Sequence, residues 1–285
     1  MPELPEVEVL ARHLAPLLKG RTIGNISVRR ARVIAPTSEP ELADALKGAT
    51  FTELNRRGKY LLFTLRQEKK SEPFTLVGHL GMTGRIYLAP KSASLPKHAA
   101  VVLDLGSENF IFEDTRYFGR LTLDTCGIEK LGPEPLGVKF TVDYLASALK
   151  RSAQSVKVKL LDQTLVAGVG NIYASEALFR AAISPRMASR KLNLGQVKSL
   201  HRAIPEVLTR AIRFGGSVPL DFAGNTGRSD GLFYYGSGEE SSEDCPERFL
   251  VYDRVGKPCL ECGKAIRRIV QGARSTFYCP HCQHP

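Results

Sequence analysis

The chain has 285 residues, of which 43% are hydrophobic, and this composition excludes a largely disordered protein and favours two or more domains. It carries 40 Lys and Arg against 29 Asp and Glu, a formal net charge of +11, which indicates a polyanionic partner. No apolar run of 18 residues occurs and the N-terminus is acidic, so we expect no membrane span, no secretory signal and a cytoplasmic location.

The first eight residues read Met-Pro-Glu-Leu-Pro-Glu-Val-Glu. A proline behind the initiator methionine usually allows Met1 to be removed, and removal would expose a secondary amine at Pro2. An α-amino group has a pKa of about 7.7–8.0, so part of it is unprotonated and nucleophilic at neutral pH. Glu3 could carry a proton beside it, and Glu6 lies one helical turn further on. The same residues also suit an ordinary helix start, because proline and carboxylates are favoured in the first helical turn.

Apolar residues at helical spacing predict a first helix over residues 5–19, closed by Gly20 and with Pro16 inside it. Short strands then follow as far as residue 123, with one short helix over residues 39–46. Strands of this length and density predict a two-layer β-sandwich against which the first helix lies. The predicted strands cover residues 22–28, 51–55, 60–65, 74–79, 99–105, 109–112 and 120–123.

Gly-Pro-Glu-Pro at residues 132–135 ends the strand pattern and predicts a domain boundary. After it the apolar spacing becomes helical, with Pro205 inside the last helix. Residues 215–249 have little apolar periodicity and many Gly, Ser and Glu residues, so we expect a long mobile loop there, and loops of this kind are often functional. The predicted helices cover residues 142–149, 157–165, 172–182 and 195–214.

Four cysteines near the end of the chain are spaced as Cys-x2-Cys, sixteen residues, Cys-x2-Cys. This spacing predicts a zinc ribbon in which each pair forms a knuckle and four thiolates hold one structural ion. Two disulfides are the alternative, which we do not expect in a chain without an export signal. We expect Cys126 to be a packed thiol, and Cys245, in an acidic stretch, not to be a ligand. The predicted ligands are Cys259, Cys262, Cys279 and Cys282.

Arg56, Arg57, Gly58 and Lys59 lie between two predicted strands. The tip of such a hairpin can bring the Lys59 amine to a phosphate or to a reacting centre. A solvated basic turn is the alternative.

Two loops carry side chains that can act as wedges in duplex DNA. Met82 lies between two glycines in segment 79–84, and Arg116 and Phe118 share one face of the extended segment 114–119. Proteins that distort DNA insert apolar side chains between bases, and an arginine can fill a vacated pairing position. Ordinary core packing is the alternative for both loops.

Gly168-Val169-Gly170-Asn171 lies between two predicted helices and ends in Asn171, a residue favoured as an N-cap. Free N–H groups at that helix start would form a phosphate site to which Asn171 adds a donor; a plain connection between helices is the alternative. Arg267, Arg268 and Arg274 lie between the two cysteine pairs, where they would contact a ligand or remain solvated.

These motifs occur in one chain in an order that resembles the formamidopyrimidine-DNA glycosylase family of bacterial base-excision repair enzymes. The resemblance runs nearly from end to end and implies a multidomain α+β protein. Residues 1–132 would form a catalytic β-sandwich with its N-terminal helix, residues 133–249 a helical helix-two-turn-helix domain with a long lesion-covering loop, and residues 250–285 a zinc ribbon. The matching segments are Met-Pro-Glu-Leu-Pro-Glu-Val-Glu, Arg-Arg-Gly-Lys-Tyr-Leu-Leu from Arg56, His-Leu-Gly-Met-Thr-Gly from His79, Leu-Gly-Pro-Glu-Pro-Leu from Leu131, Gly-Val-Gly-Asn-Ile-Tyr-Ala-Ser-Glu from Gly168 and Thr-Phe-Tyr-Cys from Thr276.

The resemblance implies a bifunctional glycosylase and abasic-site lyase acting on 8-oxoguanine and formamidopyrimidines in double-stranded DNA, as a monomer associated with the nucleoid. After loss of Met1, Pro2 would attack C1′ of a flipped nucleotide and form a Schiff base while the base leaves, and β,δ-elimination would follow. Glu3 would shuttle protons, Lys59 would hold a phosphate and assist at the lesion, and Glu6 would organise the site. The implied wedge is Met82, Arg116 and Phe118, and the implied DNA contacts are His98, Arg116, Lys157, Asn171 and Arg274.

Two features depart from the family pattern. Tyr117 stands where the family usually has a second basic residue, which would weaken one phosphate contact. Residues 217–249 are longer and more acidic than the corresponding loop.

Two other functions remain as alternatives: an endonuclease VIII-like glycosylase for oxidised pyrimidines, and a non-catalytic zinc-ribbon DNA-binding protein. Leu4 favours the purine branch because the pyrimidine branch commonly has glycine there, and the opening octet and Lys59 disfavour the non-catalytic protein.

Overall fold

The computed structural model of the chain describes residues 1–68, 70–216 and 249–284. These residues form two compact units, one containing residues 1–130 and the other residues 131–214 and 249–284. The first unit holds two β-sheets and the N-terminal helix, and the second holds helices and a two-stranded hairpin. The predicted α+β class, with a β-sandwich, a helical region and a ribbon, is therefore confirmed.

Helix α1 spans Leu4–Leu18 and begins one residue earlier than predicted. Apolar residues recur along one of its faces, and Leu10 and Leu14 are fully buried in the core of the first unit. Pro16 lies in the last turn, so the hydrogen bond that it removes is lost only where the helix is already ending. Gly20 follows in the left-handed conformation, with φ of 80°, and ends the helix as predicted.

The first unit is a sandwich of two four-stranded antiparallel sheets. Its strands are β1 Asn25–Val28, β2 Thr50–Arg57, β3 Tyr60–Arg66, β4 Phe74–His79, β5 Gly84–Pro90, β6 Ala99–Asp104, β7 Glu108–Asp114 and β8 Arg120–Thr122. One sheet has the order β2-β3-β4-β8 and the other β1-β6-β7-β5. Between the sheets, the ring of Phe63 lies 6.0 Å from that of Phe51 and 5.6 Å from that of Phe110, edge to face in both pairs. The aromatic core therefore joins the two layers.

Strand β5 is absent from the sequence prediction, which is a correction. Gly84 at its start and Pro90 at its end are residues that weaken a strand pattern, so the short apolar stretch between them is a poor signal. The strand pairs with β7 along its whole length, with Gly84 opposite Asp114. The predicted first strand is also shorter than expected, since residue Thr22 makes only an isolated bridge to Thr50.

Three short helices complete the first unit. Helix α3, Glu39–Leu46, agrees with the prediction, and Ser38 caps it by accepting a hydrogen bond from the Glu41 N–H group. Helices α2, Ala31–Ile34, and α4, Cys126–Glu129, are single turns that the apolar spacing does not reveal.

Two loops that follow β4 and β7 pack directly on each other. Gly81 has a left-handed φ of 59°, and a Cβ placed on it would lie 2.6 Å from the Gly119 nitrogen. The buried carboxylate of Asp114 accepts hydrogen bonds from the N–H groups of Arg116 and Gly119, at 3.0 and 2.7 Å, and from the Thr83 hydroxyl at 2.5 Å. One acidic side chain therefore holds both loops in place.

The second unit is built from four helices and a 3₁₀ turn at Ser189–Lys191. Pro205 lies inside the long last helix without ending it. The described helices are α5 Val142–Lys150, α6 Val156–Leu160, α7 Asn171–Arg180 and α8 Leu194–Gly216.

Helix α6 is shorter than the predicted helix over residues 157–165. The side chain of Asp162 accepts hydrogen bonds from the Thr164 N–H and hydroxyl groups, at 2.9 and 2.7 Å, and pairs with Lys159 at 2.7 Å. Such local hydrogen bonds compete with the helical pattern, so the chain turns at this point.

The ribbon consists of β9, Arg267–Gln271, and β10, Arg274–Tyr278, paired as an antiparallel hairpin. The carboxylate of Glu176, buried on α7, accepts N–H hydrogen bonds of 2.9 Å from Leu250, Val251 and Tyr252. Burial raises the pKa of Glu176 above its ordinary value, while the three N–H groups stabilise its charged form. Glu176 therefore joins the segment leading into the ribbon to the helical part of the same unit.

Residues 217–248, most of the predicted long loop, lie outside the described part of the chain, and Cys245 lies there with them. Among the helices that the structure describes, none has the length and apolar character needed to cross a bilayer.

We predict that Asp114→Asn loosens both loops, because an amide replaces a buried charged acceptor of three hydrogen bonds. The substitution should cost about 2 kcal/mol of stability, equivalent to a melting temperature lower by about 4–8 °C in calorimetry. Asp44→Asn, a change of the same chemistry at an exposed position, should leave the melting temperature unchanged. Equal melting temperatures for the two variants would contradict the anchoring role of Asp114.

Candidate functional site

The start of α1 buries two carboxylates beside Pro2. Pro2 is buried, and Glu3 and Glu6 are 3% and 2% exposed. The Glu3 N–H group donates a 2.9 Å hydrogen bond to the Glu6 carboxylate, and the Glu3 side chain completes a capping box by accepting from the Glu6 N–H group. The ordinary helix start and the chemical interpretation are therefore compatible, because the capping hydrogen bonds immobilise the residue next to Pro2.

The nitrogen of Pro2 is an amide nitrogen as long as Met1 is attached. Removal of Met1 converts it into a secondary amine, which has a lone pair available for attack on a carbon centre. The chemistry available at this position therefore depends on one proteolytic step.

Lys59 lies in the two-residue turn between β2 and β3, after Gly58 with φ of 57°. It is only 6% exposed, so the solvated basic turn is wrong for this residue. The neighbouring Arg56 forms a 2.7 Å ion pair with Glu8 of α1 and donates a 3.0 Å hydrogen bond to the Gly58 carbonyl. These contacts tie the Lys59 hairpin to the same helix that carries Glu3.

Glu8 stays charged despite its partial burial. Burial alone would raise the pKa of its carboxyl group, but the hydrogen bonds and charges of Arg56 and Arg12 outweigh it and hold the pKa below its ordinary value. The ion pair that anchors the hairpin is therefore present at neutral pH.

His79, at the end of β4, links the Lys59 hairpin to the Met82 loop. The β3–β4 register places it opposite Tyr60, and the two rings lie 4.8 Å apart. Its Nδ1 atom accepts a 3.2 Å hydrogen bond from the Gly81 N–H group. Burial lowers its pKa to about 4, assisted by the positive charges of Lys59 and Arg120, so the ring is neutral at neutral pH.

The three residues of the predicted wedge lie together on the surface of the first unit. Met82 and Phe118 are 43% and 42% exposed, so core packing is wrong for both side chains. Arg116 donates a 3.3 Å hydrogen bond to the Met82 sulfur, and its guanidinium carbon lies 4.8 Å from the centre of the Phe118 ring. Two exposed apolar side chains joined by a guanidinium group can fill a gap in a stack of bases.

His98 lies beside the same loop. Its Nδ1 atom is 3.3 Å from the Tyr117 hydroxyl group, and Tyr117 precedes Phe118. The structure thus brings this predicted phosphate ligand next to Tyr117, where we expect one phosphate contact to be weakened.

Lys157, Asn171 and Arg274 are close together in the second unit. The Lys157 ammonium group contacts the side-chain oxygen of Asn171, and the Asn171 amide donates a 2.9 Å hydrogen bond to the carbonyl of Ser275, next to Arg274. Lys157 has no exposed surface, so in this conformation it orients Asn171. Arg274 is exposed at the start of β10.

The turn before α7 is less open than predicted. Gly170, not Asn171, is the N-cap residue. The Gly168 N–H group donates a 2.9 Å hydrogen bond to Gln163, whose amide in turn donates to the Val169 carbonyl at 2.8 Å. The Gly168 N–H group is therefore used within the turn and is not a free phosphate donor.

The four predicted metal ligands converge at the base of the ribbon. Their sulfur atoms all lie within 4.8 Å of one another, with Cys259 and Cys282 3.9 Å apart and Cys262 and Cys279 3.5 Å apart. Zinc bound by four thiolates at about 2.3 Å requires sulfur atoms about 3.8 Å apart. The four cysteines therefore fit one tetrahedral zinc ion.

Cys126 lies outside this cluster. Its side chain is exposed, so the prediction of a packed thiol is wrong.

Four acidic or basic groups with structural roles were not assigned from the sequence: Glu8, His79, Asp114 and Glu176. The available signal is a charged residue in apolar surroundings, such as Asp114 at the end of strand β7, which follows the apolar residues 110–112. Such residues are buried only when hydrogen-bonded or paired, so each indicates a specific partner, but the sequence does not identify that partner.

Comparison with known proteins covers the chain in three parts. The model of the formamidopyrimidine-DNA glycosylase N-terminal domain matches residues 1–121, and that of the formamidopyrimidine-DNA glycosylase H2TH domain matches residues 131–221. The model of a zinc finger found in FPG and IleRS matches residues 256–285. Together with the cysteine cluster, this last match assigns one structural zinc ion to the chain.

Relatives and solved structures match this chain over at least 99% of its length. A formamidopyrimidine-DNA glycosylase of Desulfitobacterium hafniense (strain DSM 10664 / DCB-2) is 39% identical over 290 residues, which cover 99% of this chain and 100% of the relative. The structure of Lactococcus lactis Fpg with FAPY-dG containing DNA matches with a TM-score of 0.85 and 32% identity, over 99% of this chain and 100% of that one. MutM in complex with carbocyclic 8-oxo-G containing DNA matches with a TM-score of 0.84 and 33% identity, over the whole of both chains. The chain belongs to the formamidopyrimidine-DNA glycosylase family.

Proposed function

We propose that this chain is a bifunctional DNA glycosylase and abasic-site lyase that removes oxidised purines from double-stranded DNA. The observation that carries the proposal is the start of α1, where Glu3 is buried and immobilised next to Pro2. The Arg56–Glu8 ion pair supports it, because it ties the buried Lys59 to the same helix.

In the proposed reaction the freed nitrogen of Pro2 forms a bond to C1′ of the damaged nucleotide as the bond to the base breaks. Cleavage of the C1′–O4′ bond then opens the sugar ring and gives the Schiff base, as the Pro2 nitrogen loses its proton and O4′ gains one. The Schiff base acidifies C2′, so proton loss there expels the phosphate on one side, and a second elimination expels the other. Glu3 moves protons at the sugar, and Lys59 binds a phosphate next to the lesion. Glu6 keeps the Glu3 backbone in position through its hydrogen bond.

The exposed cluster of Met82, Arg116 and Phe118 is proposed to fill the space that the flipped nucleotide leaves. Extrusion of a base costs a few kcal/mol, least at a damaged pair, and restored stacking offsets part of that cost. The anchoring of both loops by Asp114 supports this role, since a wedge must keep its shape against the stacked bases.

The proposed DNA contacts are His98, Arg116, Lys157, Asn171 and Arg274. Lys157 acts through Asn171, which its ammonium group contacts. The zinc ion supplies the fold of the ribbon, on which Arg274 lies, and takes no part in the reaction. Because one chain contains every residue named here, we expect the protein to act as a monomer.

We predict that sodium borohydride traps the protein covalently on a duplex containing 8-oxoguanine, with the adduct at Pro2. Intact-mass measurement should show that the active protein lacks Met1. A variant with one leucine inserted between Met1 and Pro2, a residue too large for Met1 to be trimmed, should lose trapping by about 100-fold or more, because the Pro2 nitrogen remains an amide. The variant should still bind the duplex, and efficient trapping of a protein that retains Met1 would refute the mechanism.

We predict that lesion choice follows the purine branch. Excision from duplexes containing 8-oxoguanine or a formamidopyrimidine should be at least about tenfold faster than from one containing thymine glycol, a difference of about 1.4 kcal/mol in activation free energy. The relatives solved with FAPY-dG and carbocyclic 8-oxo-G support this expectation, as does Leu4. The reverse order would identify an endonuclease VIII-like enzyme, and binding without excision of any lesion would identify a non-catalytic DNA-binding protein.

We predict that Cys262→Ser lowers the zinc content from about one equivalent to near zero. The ribbon should unfold, because binding of a structural zinc contributes about 10–16 kcal/mol to folding. Affinity for duplex DNA should then fall, since Arg274 and the Ser275 carbonyl that holds Asn171 both lie on the hairpin. Cys126→Ser is the matched control, because this exposed thiol lies outside the cluster and its loss should change neither quantity.

A further inference from the structure

The surface around Tyr117 and Phe118 carries three guanidinium groups. Arg30 lies 5.2 Å from the centre of the Tyr117 ring, and Arg32 and Arg116 lie 5.6 and 4.8 Å from the centre of the Phe118 ring. Within the described part of the chain, none of the three arginines forms an ion pair with a carboxylate. Three positive charges thus accumulate next to the wedge without neutralisation by the protein.

Arg30 and Arg32 have no role in the proposed function, and of the two only Arg30 has a side-chain hydrogen bond as well as a ring contact within the described part of the chain. Its guanidinium group donates a 3.0 Å hydrogen bond to the Arg29 carbonyl and lies over the Tyr117 ring. Tyr117 is itself fixed, because its hydroxyl group contacts His98 and its ring packs against the sandwich core. A guanidinium has five donors in a planar fork, so several remain directed at solvent.

We propose that Arg30, held on the Tyr117 ring, binds a phosphate of the duplex DNA; this inference rests on the proposed function. The Tyr117 ring supports a cation that comes from a different part of the chain. The side chain is held before DNA arrives, so less conformational freedom is lost on binding. Tyr117 is a positioning residue in this arrangement, and Arg30 makes the contact.

The test measures affinity for a duplex containing a tetrahydrofuran abasic analogue, by fluorescence anisotropy between 50 and 200 mM KCl. Loss of one phosphate contact reduces the magnitude of the slope of log affinity against log salt by about 0.9. The weakening caused by Arg30→Gln should therefore be about 3.5-fold greater at 50 mM than at 200 mM salt. The control is Arg66→Gln, which removes the same charge from an exposed position. Arg66 lies at the far end of β3, about 20 Å along the strand from Tyr60 at its start, and its loss should leave the slope unchanged.

A double-mutant cycle tests the role of the ring. Tyr117→Leu is compared with Tyr117→Phe, because both lose the hydroxyl contact with His98 and only the leucine also removes the ring. The leucine variant should bind more weakly than the phenylalanine variant when Arg30 is present, and the two should bind equally in the Arg30→Gln background. Additive effects would overturn the positioning role, and equal slopes for Arg30→Gln and Arg66→Gln would overturn the phosphate contact. Melting temperatures confirm that each variant is folded.

Different results would overturn the proposed function and the Arg30 phosphate contact. A wild-type protein that neither binds nor cleaves lesion duplexes would overturn the proposed function and this inference with it. A wild-type protein that binds and cleaves them, with an unchanged slope for Arg30→Gln, would overturn this inference alone.

Discussion

The hydrogen bond from the Glu3 N–H group to the buried Glu6 carboxylate is the constraint on which the rest of the molecule depends. A buried carboxylate is unfavourable unless it is hydrogen-bonded, and at a helix start the free N–H groups and the helix dipole both favour a negative charge. Removing either carboxylate would leave unsatisfied N–H groups at that helix start. The capping hydrogen bonds of Glu3 and Glu6 therefore fix the backbone at the start of α1. The position of the adjacent Pro2 nitrogen follows from this ordinary helix capping.

The same principle recurs wherever an exposed, reactive or binding side chain must be held still. Glu8 anchors the hairpin that carries Lys59, Asp114 joins the two loops that present the wedge, and Glu176 holds the segment leading into the ribbon. Each of these acidic groups is partly or fully buried, and each bonds to groups distant in sequence or to backbone N–H groups. At the wedge the exposed side chains are therefore apolar or cationic, while the acidic group that holds them, Asp114, lies beneath.

Secondary structure followed from local patterns where a segment had one dominant signal. Strand β4 matches its prediction at both ends, and α1 ends at the expected glycine. The errors arose where local chemistry competed with the pattern: hydrogen bonds of Asp162 end α6 early, and Gly84 and Pro90 conceal β5. The missed strand matters most, since its pairing with β7 sets Gly84 opposite Asp114 and so brings the two wedge loops side by side.

The sequence by itself determined the α+β class, the zinc ligands and the residues that are candidates for chemistry, because these depend on residue type and on short spacings such as Cys-x2-Cys. Only the tertiary structure decided which of those residues meet. The contacts of Arg116 with Met82, of Lys157 with Asn171 and of Arg30 with Tyr117 join segments far apart in the chain, and no local pattern encodes them. The physical reason is that strand register and loop packing, which result from burial of the whole core, determine which distant side chains come within contact distance.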